Sequence, residues 1–97
     1  MRVGGLKVIL VKEGREQEFE SLFGELRKAM HDQEPGCLLY SLLKSRTNSR
    51  AYIVHEHYRD AAALAEHESS PHGKLYFPRI RAILESISVE YFDIVVE

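Results

Sequence analysis

Tyr52-Ile53-Val54-His55-Glu56-His57-Tyr58-Arg59-Asp60-Ala61-Ala62-Ala63-Leu64-Ala65-Glu66-His67-Glu68-Ser69-Ser70-Pro71-His72 is the stretch on which the fold of this chain turns. Its first half alternates with the period of a β-strand, while Asp60 before an alanine-rich run reads as a helix opened by an N-capping carboxylate. A strand, Ala51 to Arg59, therefore passes almost directly into a helix. The same stretch holds Glu56, Tyr58 and four of the five histidines of the chain. Histidine alone has an unperturbed pKa that lets it exchange a proton near neutral pH, so the chemistry is sought here first.

Reading outward toward the N-terminus, Thr47-Asn48-Ser49 is a polar turn that makes the strand an antiparallel hairpin with a preceding one, Cys37 to about Ser45. Glu34-Pro35-Gly36 precedes that strand and stops a helix, because proline lacks an amide donor and disfavours helix in the residue before it. The helix is marked by Phe19, Leu22, Phe23, Leu26 and Met30 at helical spacing in a Glu-, Arg- and Lys-rich segment. Gly14 separates it from a first strand, about Leu6 to Lys12, with apolar residues on both faces. Toward the C-terminus, Ser69-Ser70-Pro71 ends the alanine-rich helix and starts a second piece, about His72 to Leu84. That piece is expected to bury Leu75, Tyr76, Ile80, Ile83 and Leu84, with Pro78 kinking it. Ile87 to Val96 reads as the last strand.

The order strand, helix, strand, strand, helix, strand predicts an α+β ferredoxin-like βαββαβ domain over residues 1–97, with helices on one face of a four-stranded antiparallel sheet. The other face of such a sheet is normally polar. Leu38, Leu42, Ile53, Phe92, Ile94 and Val96 contradict that pattern, and a contiguous apolar face marks an interface. A homodimer joined through the open sheet face is therefore expected.

Composition excludes several partners. The chain has 97 residues, 44% hydrophobic and 29% charged, with a net charge of −2, which disfavours nucleic acid and anionic membrane surfaces. No apolar run approaches the ~20 residues of a membrane span and no signal peptide is legible, so a cytoplasmic location is expected. The single cysteine, Cys37, has no internal disulfide partner and reads as a small buried hydrophobe. No phosphate loop, dinucleotide fingerprint, Ser-His-Asp elbow or paired-cysteine motif is present in the sequence.

Several local patterns resemble one family. Val11-Lys12-Glu13-Gly14 before the first helix, Glu34-Pro35-Gly36-Cys37 after it, and Glu56-x-Tyr58 followed by Ala63, His67, Ser70 and His72 resemble the antibiotic biosynthesis monooxygenase (ABM) domains, where Tyr58 stands in place of a frequent Trp. The resemblance implies a dimeric α+β barrel and a monooxygenase that oxidises a quinol-, anthrone- or polyketide-like aromatic with O2, using no cofactor, neither metal nor flavin. The electron-rich substrate anion then supplies the reactivity that a cofactor ordinarily carries. A haem-degrading relative fits less well: by the same alignment its pocket tryptophan falls on His67 and its haem-ligating histidine falls near Phe77.

Strand parity then divides the candidates. Tyr52, Val54, Glu56 and Tyr58 share one face, and Ile53, His55, His57 and Arg59 the other. If the first set faces the helices, Glu56 is expected to meet His67, raising its pKa and fixing its tautomer, with His67 and Glu56 as catalytic residues. The pair is equally readable as a structural tie between strand and helix. Tyr58 is assigned to substrate binding, His72 to substrate binding or to the start of the second helical piece, and Arg79 to steadying a substrate anion. Tyr40, Tyr76, Phe77 and Tyr91 read as core. His55 and His57 are a His-x-His pair on the opposite face, but two ligands do not complete a site, so no metal is expected. A carbonyl isomerase or a non-catalytic ligand-binding or stress-response module on the same fold is the alternative.

Overall fold

The computed structural model describes residues 1–97. Its elements are β1 (Val3–Val11), α1 (Glu16–Gln33), β2 (Cys37–Lys44), β3 (Ala51–Tyr58), α2 (Ala61–Ser69), α3 (Pro71–Arg81) and β4 (Leu84–Asp93). The strands form one antiparallel sheet in the order β2-β3-β1-β4, the ferredoxin-like arrangement. No helix is long and apolar enough to cross a membrane.

The residues that build α1 are the ones its spacing marks: Phe19, Leu22, Phe23, Leu26 and Met30 are all buried. They pack on Ile9, Val11, Tyr40, Tyr52 and Val54 of the sheet. Phe23 stacks on Tyr40 with ring centroids 5.2 Å apart, and Phe19 meets Tyr52 at 4.8 Å, distances at which aromatic pairs add to simple area burial. Asp60 caps α2 by accepting from the Ala63 amide at 2.8 Å. Ser70 caps α3 from the Gly73 amide, and Pro71 occupies the first turn, where its missing donor costs nothing. The helix runs through Pro78 to Arg81.

Two strands are displaced from their expected bounds. β1 begins at Val3 instead of Leu6, because as an interior strand Gly4 and Gly5 are paired on both sides, with β3 and β4. Gly5 is also required sterically: a Cβ there would lie 2.7 Å from Glu56 Cγ and 2.9 Å from the Tyr91 ring. β4 runs Leu84–Asp93 instead of 87–96, since its register pairs Val11 with Leu84 and Val3 with Asp93. Ile83 and Leu84, expected in the helix, are buried at the strand entry. Leu75, expected inside, is 55% exposed.

Parity resolves the sheet's two faces. Lys7, Ile9, Tyr40, Leu42, Val54, Glu56, Ile87, Val89 and Tyr91 fall on the helix-covered side, as their cross-strand pairings require. Leu42 therefore belongs to the core, not to the open face. Val96 lies beyond β4 and is exposed, whereas Ile94 lies within 3.4 Å of a Cβ built on Gly4. The open face carries Leu6, Val8, Leu43, Ile53 and Phe92, all exposed, together with His55 and His57.

Candidate active site

Two buried polar clusters lie between the sheet and the helices. The first centres on Glu34, the residue that ends α1. Its carboxylate is 3.0 Å from His67 Nδ1 and also contacts His72 Nε2. All three side chains are nearly inaccessible to solvent. A carboxylate can only accept, so both imidazoles donate to it: His67 carries its proton on Nδ1 and His72 on Nε2. The opposite nitrogens, His67 Nε2 and His72 Nδ1, are buried without a partner. Burial holds the His67 pKa below the usual histidine value despite the opposing charge of Glu34, and the nearby Lys7 charge adds to the lowering. His67 is thus a neutral, oriented imidazole with a bare Nε2.

The second cluster centres on Glu56. One carboxylate oxygen accepts from Lys7 Nζ at 2.6 Å and the other from Tyr58 Oη at 2.8 Å. Glu56 is fully buried and the Lys7 side chain 15% exposed, so the pair is strongly desolvated. Lys7 Nζ also reaches Tyr40 Oη at 3.5 Å. Burial, reinforced by the Glu56 charge, drives the Tyr58 and Tyr40 hydroxyls far above the usual tyrosine range, so both stay protonated. Tyr91 is pushed up to about 12 by burial and then by Glu56 and Glu68.

A cavity of about 400 Å³ runs between β1, β4 and the helices. Its wall is mainly apolar, including Ile9, Phe23, Leu26, Phe77, Ile80 and Val89; Lys7, Tyr40, His67, Glu68, Arg81 and Tyr91 bring polar groups to it. A mostly apolar pocket of this size with a few convergent polar groups is the usual form of a small-molecule site.

The structure redistributes the expected roles. His67 lines the cavity, and its carboxylate partner is Glu34, not Glu56, whose two oxygens are already taken by Lys7 and Tyr58. Strand parity places Glu56 on the correct face yet says nothing about which helix terminus lies above it. Tyr58 does not reach the cavity wall: it is fully buried behind it, with Val3 and Ala63. His72 is likewise absent from the wall and serves as the second donor to Glu34. Arg79 is exposed over the Tyr76 ring at 5.9 Å, and Arg81, two residues on, lines the cavity instead. Tyr40 belongs to the core as read, with Phe77 packed against it, and both also line the cavity, as does Tyr91. Glu34 and Lys7 escaped the sequence reading. Glu34 was legible as a helix stop and as part of the family resemblance but not as the partner of two histidines, although a lysine on the inward face of an apolar strand was a signal that a buried anion had to meet it. Cys37 is half-buried and its thiol is pushed up to about 11, chiefly by burial, as befits a packing residue.

An antiparallel ferredoxin-like sheet with an apolar cavity under its helices defines a small-molecule-binding α+β domain. The particular family follows from the sequence: the family model for antibiotic biosynthesis monooxygenase matches residues 6–79, and the chain belongs to that family. A crystal structure from Caulobacter crescentus CB15, described as a candidate antibiotic biosynthesis monooxygenase, superposes with a TM-score of 0.92 at 29% identity, covering 98% of this chain and 91% of that one. Protein SO0527 from Shewanella oneidensis gives 0.85 at 27% identity over 94% and 88% of the two chains. A conserved protein from Methanosarcina mazei Go1 shares the fold, with a TM-score of 0.88 at 24% identity over 95% and 91%. No curated protein sequence matches significantly. The family membership supports a general monooxygenase-like role.

Proposed function

We propose that the chain is a cofactor-independent monooxygenase acting on an electron-rich phenolic aromatic of the anthrone, quinol or polyketide type. The observation that carries the proposal is the unpartnered Nε2 of His67, on a ring that lines an apolar cavity and is fixed from behind by Glu34. A base of this kind is available at neutral pH, because burial keeps the imidazole unprotonated.

For an anthrone, His67 Nε2 takes the acidic proton and the resulting imidazolium is steadied by Glu34. The anion's negative charge rests largely on its oxygen, for which the Lys7 ammonium and the Tyr40 hydroxyl are the donors at the cavity wall. The anion passes one electron to O2, and recombination of the radical pair forms a carbon–oxygen bond. The peroxide anion takes back the proton held on His67 Nε2, which restores the neutral base, and the hydroperoxide then loses water, its O–O bond breaking as the remaining hydrogen leaves the same carbon, to give a carbonyl. One O2 is consumed; one oxygen atom enters the product and the other leaves as water. The apolar wall keeps bulk water from the anion.

The open face supports a homodimer in which two sheets meet, since Leu6, Val8, Leu43, Ile53 and Phe92 together form an apolar surface with no cover in one chain. Sedimentation at micromolar concentration tests this, and a monomer would refute it. Oxygen uptake measured with a panel of anthrones and hydroquinones tests the chemistry. Uptake above the spontaneous rate, lost in His67→Ala with the fold retained, is expected. Background rates across the panel would refute the oxygenase and leave proton shuttling on a carbonyl compound, or binding alone, as the role of the same base.

A further inference from the structure

The catalytic reading does not use His55 and His57, which stand on the opposite side of the sheet. Their Nε2 atoms are 3.1 Å apart, a hydrogen bond in which one ring donates and the other accepts, and the rings meet edge to face with centroids 4.8 Å apart. Two imidazole nitrogens bound to one tetrahedral ion at ~2.0–2.1 Å stand about 3.3 Å from each other, and at a right angle about 2.9 Å. The observed separation falls between these. β3 is an interior strand with backbone partners on both sides, so the two Cβ positions are held by the sheet.

The surroundings are otherwise poor in polar groups. Cross-strand pairing sets Leu39, His57, Gly4 and Phe92 in one row, Ser41, His55, Leu6 and Glu90 in the next, and Leu43, Ile53, Val8 and Ser88 in a third. The acidic side chain in these rows is Glu90, two strands from His55 and so about 10 Å away. No group of three or more metal-ligating side chains converges within one chain. A single chain thus offers two imidazole nitrogen ligands in apolar surroundings, half of a closed tetrahedral set.

We propose that His55 and His57 are half of a structural site for a divalent transition-metal ion of the zinc class, completed by the same pair from a second copy packed on the open sheet face. The proposal rests on the face-to-face dimer described above. Imidazole ligands suit zinc, copper and nickel, and four of them in a closed set leave no open position for chemistry. The ion would take the place of the hydrogen bond between the two half-buried rings and engage both Nε2 atoms at once. It would also fix the registry of the two sheets, which apolar contacts alone leave loosely specified. The count of two ligands per chain, which argued against a metal in the sequence, becomes four across a two-fold axis.

The test uses the full chain, stripped with EDTA and titrated with Zn²⁺ against a chromophoric chelator, with sedimentation in both states. Expected are one Zn²⁺ per two chains, a dimer strengthened by the ion, and an affinity reduced more than about 100-fold in His55→Ala and in His57→Ala, beyond what loss of an outer-shell partner costs. His31→Ala, at an exposed histidine on α1, changes neither. Co²⁺ in place of Zn²⁺ is expected to give the visible absorption of a four-coordinate nitrogen site. If circular dichroism shows an alanine variant misfolded, asparagine at that position replaces it. No Zn²⁺ uptake by a chain that is dimeric in EDTA overturns the metal site and leaves the dimer standing. No uptake by a monomer overturns both. One ion per chain, or uptake unchanged in the β3 variants, overturns the shared site.

Discussion

Glu34→Gln isolates the arrangement around His67 with almost no change of shape. In the native protein one carboxylate accepts from two buried imidazoles, His67 through Nδ1 and His72 through Nε2. A glutamine has one acceptor oxygen and an amide group that only donates, so it can accept from one of the two histidines and must donate to the other. The imidazole facing the amide has to move its proton to the opposite nitrogen or lose its hydrogen bond. A hydrogen bond to a charged group is worth about 1.5–3 kcal/mol, so the variant is expected to lose roughly that amount of stability. In a domain this small each kcal/mol moves Tm by about 4–8 °C, which gives a fall of about 6 to 24 °C by calorimetry. If the amide faces His67, the proton sits on Nε2 and the base is gone; comparable loss of the correct tautomer in a Ser-His-Asp triad costs about 10⁴ in rate. Long-range ¹H–¹⁵N spectra of the imidazoles report the tautomers directly, beside oxygen uptake with an anthrone. A variant with unchanged Tm, unchanged His67 tautomer and unchanged uptake would refute the role given to Glu34.

Lys7→Met should be among the most damaging single changes, because it leaves the fully buried Glu56 with Tyr58 as its remaining partner. Breaking such a pair costs about 3–5 kcal/mol, and adding Glu56→Gln should restore much of that in denaturant titrations; an absence of coupling between the two would show that the pair is not the desolvated one described. The pH dependence follows from His67: its folded pKa lies below the unfolded value near 6.5, so the unfolded chain binds the proton first. Its contribution to stability is complete above about 6.5 and is lost as pH falls through the folded pKa, and the acidic limb of the rate profile lies below 6.5 as well. A rate limb above that value would contradict a base held neutral by burial. Gly5→Ala forces a methyl against Glu56 Cγ and the Tyr91 ring, and an overpacking cost of about 1–3 kcal/mol is expected in the unfolding midpoint.

The periodic features were legible from the order of residues alone. The spacing of Phe19, Leu22, Phe23, Leu26 and Met30 committed α1 to its buried face, Asp60 placed the start of α2, and alternation in β3 sent Tyr52, Val54, Glu56 and Tyr58 inward with His55 and His57 outward. These are local consequences of helix and strand geometry, which no long-range contact can alter without breaking the element. The bounds of β4 were not local: register with β1 drew it three residues toward the N-terminus. Nor was the partner of His67. Parity names the face of the sheet to which Glu56 belongs, but the layer above it is set by how α1 ends against α2 and α3. That packing brings Glu34, 33 residues from His67 and 38 from His72, between the two rings. The same packing spends Glu56 on Lys7 and leaves one bare imidazole nitrogen beside the cavity. A histidine-rich strand–helix segment thus pointed to a candidate proton-handling group, while the carboxylate that orients it follows from the packing alone, because residues distant in sequence become neighbours solely through the closing of the core.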